Sequence, residues 1–421
     1  TSATMRVRPA HDRPSPLHLF PSPSLGYPMS VDADLVIVGA GPAGASTALH
    51  LLHASPRTKV IVVERHRWPR EKICAGAVGG RALKVLDLIG VHPEVCARST
   101  VHGLGVVTPR GRQWGRRAEP IGWVIERREF DASLIETARQ RGAEFLPETR
   151  VSAVRWSATA VELDTSRGRV RARAVVGADG VSSIVRRGLK LPPARAYAQA
   201  VEVDTDIRPD DGDPEILWFD VTDRSLPGYA WDFARTRADG CRVMCRGIYQ
   251  LVRGVTEAQR HPDPGQRLEQ RLRAQQLPVE TNRFRRYAER GIPLAAPLAR
   301  PRGLLVGEAA GIDPVLGEGI AQAIFGGAVA GPYLARALDQ GDLRLADWAD
   351  TFYRSRVGLD LRARTAALHA VYHPRLHRLR DRWFARSADL AETGAAYFGG
   401  EPFPWRRFGR SLLDLGRAVF A

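Results

Sequence analysis

The run Asp34-Leu-Val-Ile-Val38-Gly39-Ala-Gly41-Pro-Ala43-Gly44 decides how this chain is read. Asp34 to Val38 is a short β-branched stretch, as in a parallel strand buried on both faces. Three glycines follow it at the spacing G-x-G-x-x-G, and Ala45 to His53 suits a helix. Residues 59–63, Lys-Val-Ile-Val-Val, repeat the buried-strand pattern and are closed by Glu64. Together these form a β-turn-α-β unit of about 30 residues. In such a unit Gly39 permits the tight turn, Gly41 lets backbone approach a pyrophosphate, and Gly44 lets helix and strand pack closely. The helix N-terminus presents amide donors and a positive dipole end to phosphates. Glu64 lies 20 residues beyond Gly44, where an acid binds ribose hydroxyls. The unit alone does not separate a nicotinamide dinucleotide from a flavin dinucleotide.

The chain has 421 residues, 44% hydrophobic and 26% charged. These values exclude collagen, coiled coil or wholesale disorder as a description of the whole. The length gives a prior of two to three domains. Lys+Arg outnumber Asp+Glu by 62 to 46, a net charge of +16. Such an excess favours acidic partners. The basic residues are nearly all arginine and are spread along the chain, so no nucleic-acid partner is expected. Cys74, Cys96, Cys241 and Cys245 make no C-x-x-C pair or zinc-spaced cluster, so no metal is expected and a reducing, cytoplasmic setting fits. No apolar run reaches the ~18 residues of a membrane span.

The rest of the chain has an α/β rhythm. Residues 1–30, rich in Pro, Ser, Arg and His, read as disordered or as sequence upstream of the natural start, with Met29 the candidate initiator. Phe130 to Arg141 reads as a helix; 150–166 and 169–177 alternate like strands, and 196–250 is strand-rich. The polar stretch 256–290 reads as helical. Residues 303–307 form another buried strand before a glycine-rich turn and a helix to about 338. Everything from 345 onward reads as helix. Gly326, Gly327 and Gly331 lie inside a helix, where close packing explains them. The expected fold class is α/β, with a Rossmann-like FAD-binding domain, a mostly antiparallel β substrate domain and a helical C-terminal region. The domain boundaries are 31–100 plus 121–190 plus 291–338 for the first, 101–120 plus 191–290 for the second and 339–421 for the third.

Three further motifs bring in a resemblance. Arg127-x-x-Phe130-Asp131, Gly177-Ala-Asp179-Gly180-x-x-Ser183-x-Val185-Arg186 and Gly307-Glu308-Ala-Ala-Gly311 follow the fingerprint in order. The set resembles the flavoprotein superfamily of para-hydroxybenzoate hydroxylase, flavin halogenases and geranylgeranyl reductases, over roughly residues 33–335. Arg70-Glu-Lys72-Ile-Cys74-Ala-Gly76, Asp313-Pro314-x-x-Gly317-Glu-Gly319-Ile320 and Pro227-Gly-Tyr229-Ala-Trp231-Asp-Phe233 are similar to segments of the geranylgeranyl reductase branch. Two departures stand out: Ala234 where that branch has proline, and Glu308 where an aspartate is usual.

The resemblance implies FAD as cofactor. It places Gly39, Gly41, Ala43, Gly44, Glu64, Arg65, Cys74, Ala75, Val151, Gly180, Gly317, Gly319 and Ile320 at the cofactor, with Arg127 neutralising its diphosphate. Asp179 is expected to order turn amides or bond a ribose, and Glu308 to accept a ribityl hydroxyl. Cys74 reads either as a catalytic thiol that positions an alkene or relays a proton, or as a small apolar residue packed on the flavin. Tyr229 is a second proton-donor candidate. Tyr229, Trp231 and Phe233 alternate on a strand that either lines a greasy substrate cavity or is ordinary sheet core.

The leading expectation is an FAD-dependent reductase of isoprenoid or other lipophilic C=C bonds. A monooxygenase, a halogenase and a non-catalytic flavin-containing binding protein are the alternatives, because fold does not dictate function. No second strand-G-x-G-x-x-G-helix unit occurs, so electrons are expected from docked NAD(P)H or from a protein donor such as ferredoxin. Arg375, Arg378, Arg380, Arg382 and Arg386 flank Leu376, Leu379, Trp383 and Phe384. That helix reads either as a solvated face packed on the flavin domain or as a peripheral membrane contact.

Overall fold

The computed structural model describes residues 32–95, 98–192, 197–252, 261–279, 283–294 and 296–419. The expectations for residues 1–30 and for Cys96 lie outside these. Among the described residues, Asp32–Val38 sits in an eight-stranded sheet with Gly168–Gly177 on one side and Val60–Val63 on the other, both parallel to it. Gly303–Leu305 extends the parallel core beyond Gly168–Gly177, and Glu144–Leu146 extends it beyond Val60–Val63. Leu35, Val36 and Ile37 have no solvent exposure, as a β-branched run covered on both faces requires.

The helix Pro42–Ala54 packs against the long helix Gly319–Gln340. Small residues set that contact. A Cβ on Gly327 would lie 2.6 Å from Ser46, and one on Gly331 2.6 Å from His50. These two glycines therefore let the helix backbones approach.

A second sheet of seven strands runs in the order Arg285–Arg290, Tyr197–Thr205, Arg242–Val252, Gly228–Thr236, Ile216–Asp220, Gly103–Thr108 and Gly111–Arg116. All its pairings are antiparallel except that of Ile216–Asp220 with Gly103–Thr108. Helices His377–Arg386 and Ala388–Gly399 pack on the Gly103–Arg116 hairpin. The architecture is α/β with a helical C-terminal region, as the sequence indicates.

The reading of 256–290 as helix is corrected. Only Pro264–Ala274 is helical in the described part, and Arg285–Arg290 is an edge strand paired with Tyr197–Thr205. Charged residues in adjacent pairs, Arg285-Arg286 and Glu289-Arg290, break the period of two, so the strand carries no apolar signal. No helix among the described residues is long and apolar enough to cross a membrane.

Candidate cofactor and substrate site

The two sheets and the C-terminal helices enclose one cavity of about 690 Å³, a size ordinary for ligand sites. One part is bounded by the fingerprint turn, and another by the inner face of the seven-stranded sheet and the C-terminal helices. Gly39, Gly41, Ala43, Glu64, Arg65, Cys74, Ala75, Arg127, Val151, Asp179, Gly180, Glu308, Gly317, Gly319 and Ile320 line it, with Tyr229, Trp231 and Phe233. Gly44 alone of the expected residues is absent from the wall. It packs beneath, where a Cβ would sit 1.9 Å from the Gly39 carbonyl oxygen.

Gly39 has φ 106°, a conformation that disfavours any side chain. Glu64 closes the turn by accepting from the Ala40 amide at 3.2 Å and the His66 amide at 3.0 Å. Asp179 accepts through Oδ2 from the amides of Ile184, at 2.7 Å, and Val185, at 3.3 Å. It therefore orders backbone amides, while burial pushes its carboxyl up despite those bonds. Its Oδ1 is buried without a hydrogen-bond partner.

Arg127, expected at the diphosphate, lines the cavity but is paired on its own helix. Its guanidinium donates to both oxygens of Asp131, at 2.8 and 2.7 Å. Burial opposes the charge, and Asp131 more than restores it. Its charge is thereby balanced largely by Asp131. The i,i+4 spacing of Arg127 and Asp131 on a helix was the sequence signal for this pair. Arg70 faces the same turn and is itself paired with Asp131 at 3.2 Å and Glu64 at 3.6 Å. Its Nη1 is buried without a partner, and its Nη2 would lie 3.4 Å from a Cβ on Gly41.

A dinucleotide fits this end of the cavity. Only the flexible end of Arg70 approaches the Cβ position of Gly41, the Pro42–Ala54 helix begins there, and Arg70 Nη1 and Asp179 Oδ1 have no hydrogen-bond partner. These groups would hold FAD: helix amides and Arg70 at phosphate, acids at hydroxyls.

At the other end, the loop 313–320 is held by a clasp. Asp313 is fully buried and accepts from Val315 N at 2.8 Å and Leu316 N at 3.2 Å. Arg364 donates to Asp313 at 2.6 Å, Glu318 at 2.9 Å and Asp360 at 3.1 Å. Arg81 adds an ion pair to Glu318. Tyr229 and Tyr372 donate their hydroxyl hydrogens to the carbonyls of Leu316 and Val315. Tyr229, the second proton-donor candidate, thus directs its hydroxyl hydrogen at the loop. Burial pushes its phenol well above the ordinary value.

Tyr249, Tyr287, Glu289 and Arg364 also line the cavity and escaped sequence reasoning. Each depends on strand or helix partners far away in the chain. Cys74 accepts from the Gly76 amide at 3.4 Å. Burial pushes its thiol up, and the nearby Arg127 charge pulls it back only in part.

A protein-family model described as an FAD binding domain matches residues 32–357. The chain belongs to this FAD-binding family. Its relatives include a digeranylgeranylglycerophospholipid reductase of Methanothrix thermoacetophila, 29% identical over 330 residues that cover 73% of this chain and 79% of that one. A geranylgeranyl bacteriochlorophyll reductase-like protein from Thermoplasma acidophilum superposes with a TM-score of 0.71 at 18% identity, covering 92% of this chain and 100% of that one. The halogenase PltM, in complex with phloroglucinol and FAD, superposes with a TM-score of 0.64 at 15% identity, covering 87% and 82%. At these identities the two structural likenesses are likenesses of fold. This FAD-binding protein is an oxidoreductase similar to geranylgeranyl reductases.

Proposed function

We propose that this flavoprotein reduces C=C bonds of an isoprenoid or similarly lipophilic substrate. The observation that carries the reading is the wall of the cavity beyond the loop 313–320. Leu217, Phe219, Phe233, Trp383, Phe384 and Phe398 line it. Phe219 packs against Tyr229 and Phe233 with ring centroids 5.2 and 5.3 Å apart. Such a wall suits a long apolar chain. The reductase names of the relatives point the same way.

FAD, when bound, supplies the electron pair for the reduction. The protein's own residues position, desolvate and protonate. The aromatic wall excludes water from the alkene. The clasp of Arg364, Asp313 and Glu318 holds the loop beside it. Cys74, a thiol on the cavity wall that burial keeps neutral, would stand beside FAD and substrate when they are bound. Cys74→Ala is expected to keep its flavin and to slow substrate reduction by about 100-fold, because a small misplacement of reacting atoms has that cost. Single-turnover rates alongside flavin content check this; a rate equal to wild type would remove Cys74 from the site's chemistry.

The function is tested on holoenzyme reduced without oxygen. Digeranylgeranylglycerophospholipid is added anaerobically and flavin reoxidation is followed by absorbance. Reoxidation, with product that gains one hydrogen pair per bond, supports the reductase. Reoxidation only on admitting air, with oxygen or halogen in the product, makes the protein an oxygenase or halogenase instead. No turnover with lipid or air favours a flavin-containing binding protein. Reduction by NADPH or by ferredoxin, compared in the same cell, identifies the donor class.

Two apolar side chains of His377–Arg386 are turned inward. Trp383 and Phe384 line the cavity, and Arg380 is buried against Asp381 at 2.9 Å. Peripheral contact, if made, belongs to the helix Trp405–Val419. It exposes Trp405, Leu412, Leu413 and Val419 among Arg406, Arg407, Arg410 and Arg417, a pattern that suits an anionic lipid surface. Replacing Trp405, Leu412 and Leu413 by serine is expected to abolish flotation with anionic vesicles; unchanged flotation would exclude this helix as the contact.

A further inference from the structure

Glu289 stands on the edge strand Arg285–Arg290, two residues from Tyr287, and both side chains line the cavity. It is 8% exposed. Its Oε2 is buried and has no hydrogen-bond partner. A Cβ on Gly317 would lie 2.6 Å from that oxygen and 2.6 Å from the Tyr249 ring. The carboxyl therefore rests directly against the backbone of the loop 313–320, between that loop and the aromatic strands. Gly317, at φ 65°, is required both by its conformation and by this contact.

We propose that Glu289 is the proton donor of this site, acting on the alkene carbon opposite the one that accepts hydride. The inference rests on the reductase reading given above. In the step, one carbon would receive a hydride, which FAD when bound and reduced would supply. The π electron pair then forms the second C–H bond with the Glu289 proton. The carboxylate left behind recovers its proton from water. One hydride and one proton are added for each C=C bond lost.

The surroundings favour this acid over its neighbours. Burial holds the Glu289 carboxyl well above the usual carboxylate range, and the charges of Glu308 and Asp313 act in the same direction. Lys72 opposes them, more weakly. Burial also raises Cys74, Tyr229, Tyr249, Tyr287 and Tyr372. For a thiol or a phenol that shift leads away from neutrality; for a carboxyl it leads toward it. A general acid works best when its pKa lies near the operating pH, and a carboxylic acid kept neutral by an apolar site is an established device. The hydroxyl hydrogens of Tyr229 and Tyr372 are already given to carbonyls of the loop.

The test compares wild type with Glu289→Gln, which keeps the shape and removes the acid. Both are purified as flavin-loaded holoenzyme. Infrared difference spectra on flavin reduction are expected to show a protonated-carboxyl carbonyl band in wild type that the variant lacks. Anaerobic reoxidation by digeranylgeranylglycerophospholipid is expected to slow by about 100-fold or more. The wild-type rate should fall as pH rises through the Glu289 titration, and the variant's rate should be flat. A rate within about twofold of wild type with the same pH profile, or no such band in wild type, overturns the proposal. Loss of flavin from Glu289→Gln would make the group a cofactor ligand and also overturn it. If the lipid oxidises neither protein, the reductase reading fails and the donor role falls with it. The infrared band would still show, independently, that the site holds a neutral acid.

Discussion

Gly44→Ala is expected to abolish FAD binding by preventing the fingerprint unit from closing. The added Cβ would lie 1.9 Å from the Gly39 carbonyl oxygen and 3.2 Å from Ile37 Cγ2. Neither neighbour can yield. Gly39 is held by the hydrogen bond its amide donates to the Val63 carbonyl at 2.8 Å, and its own Cβ position is blocked 2.4 Å away by the Ala178 carbonyl oxygen. Ile37 is fully buried in the central strand. Overpacking a core by one or two carbons costs about 1–3 kcal/mol when side chains can adjust. A backbone contact this short leaves the helix to move instead, which displaces the amides that face the cavity.

Gly41→Ala is the matched control. The nearest atom to its Cβ is Arg70 Nη2 at 3.4 Å, so the protein should fold with nearly unchanged stability while the methyl occupies the space a pyrophosphate needs. Thermal melting and flavin absorbance per protein separate the two. Gly44→Ala should lose both stability and flavin, Gly41→Ala flavin alone. A flavin-replete Gly44→Ala protein with the wild-type melting temperature would refute the packing argument.

Arg364→Met is expected to cost about 3–5 kcal/mol, the penalty for removing one partner of a buried ion pair. Three carboxylates depend on this guanidinium, and Asp313 among them has no solvent exposure. The loop amides of Val315 and Leu316 are in turn held by Asp313. The loss should therefore loosen the loop 313–320 as well as lower stability. At roughly 2–4 °C per kcal/mol for chains of 150–250 residues, a drop of several degrees is expected. Adding Asp313→Asn should cost less in the Arg364→Met background than alone, since groups in one network are not additive. Strict additivity, or an Arg364→Met protein as stable as wild type, would show that the clasp does not hold the loop.

Much of the FAD end of the cavity could be read from the chain alone. Strand, glycine turn and helix are local, and steric limits at Gly39 and packing at Gly44 act over a few residues. The same holds for Gly327 and Gly331, whose meaning as helix contacts follows from their place inside a helix. The alternation of Tyr229, Trp231 and Phe233 is likewise a local period. It leaves open whether they line a cavity or fill a core, and the structure shows side chains that are both buried and on the wall.

Who pairs with whom was decided by tertiary structure. Arg127 has the charge a diphosphate wants, yet Asp131 takes it. Tyr229 has a hydroxyl hydrogen to give, yet it is directed at the Leu316 carbonyl. Glu289 sits in a stretch whose charges hide its strand, and nothing nearby in sequence marks it as buried. The sequence by itself determined the cofactor-binding unit and the family, because backbone sterics and strand and helix periods are short-range. Only the folded chain decided which polar groups are already satisfied and which acid stands unpaired at the cavity. Desolvation and hydrogen bonding depend on neighbours from distant segments, and no spacing along the chain encodes them.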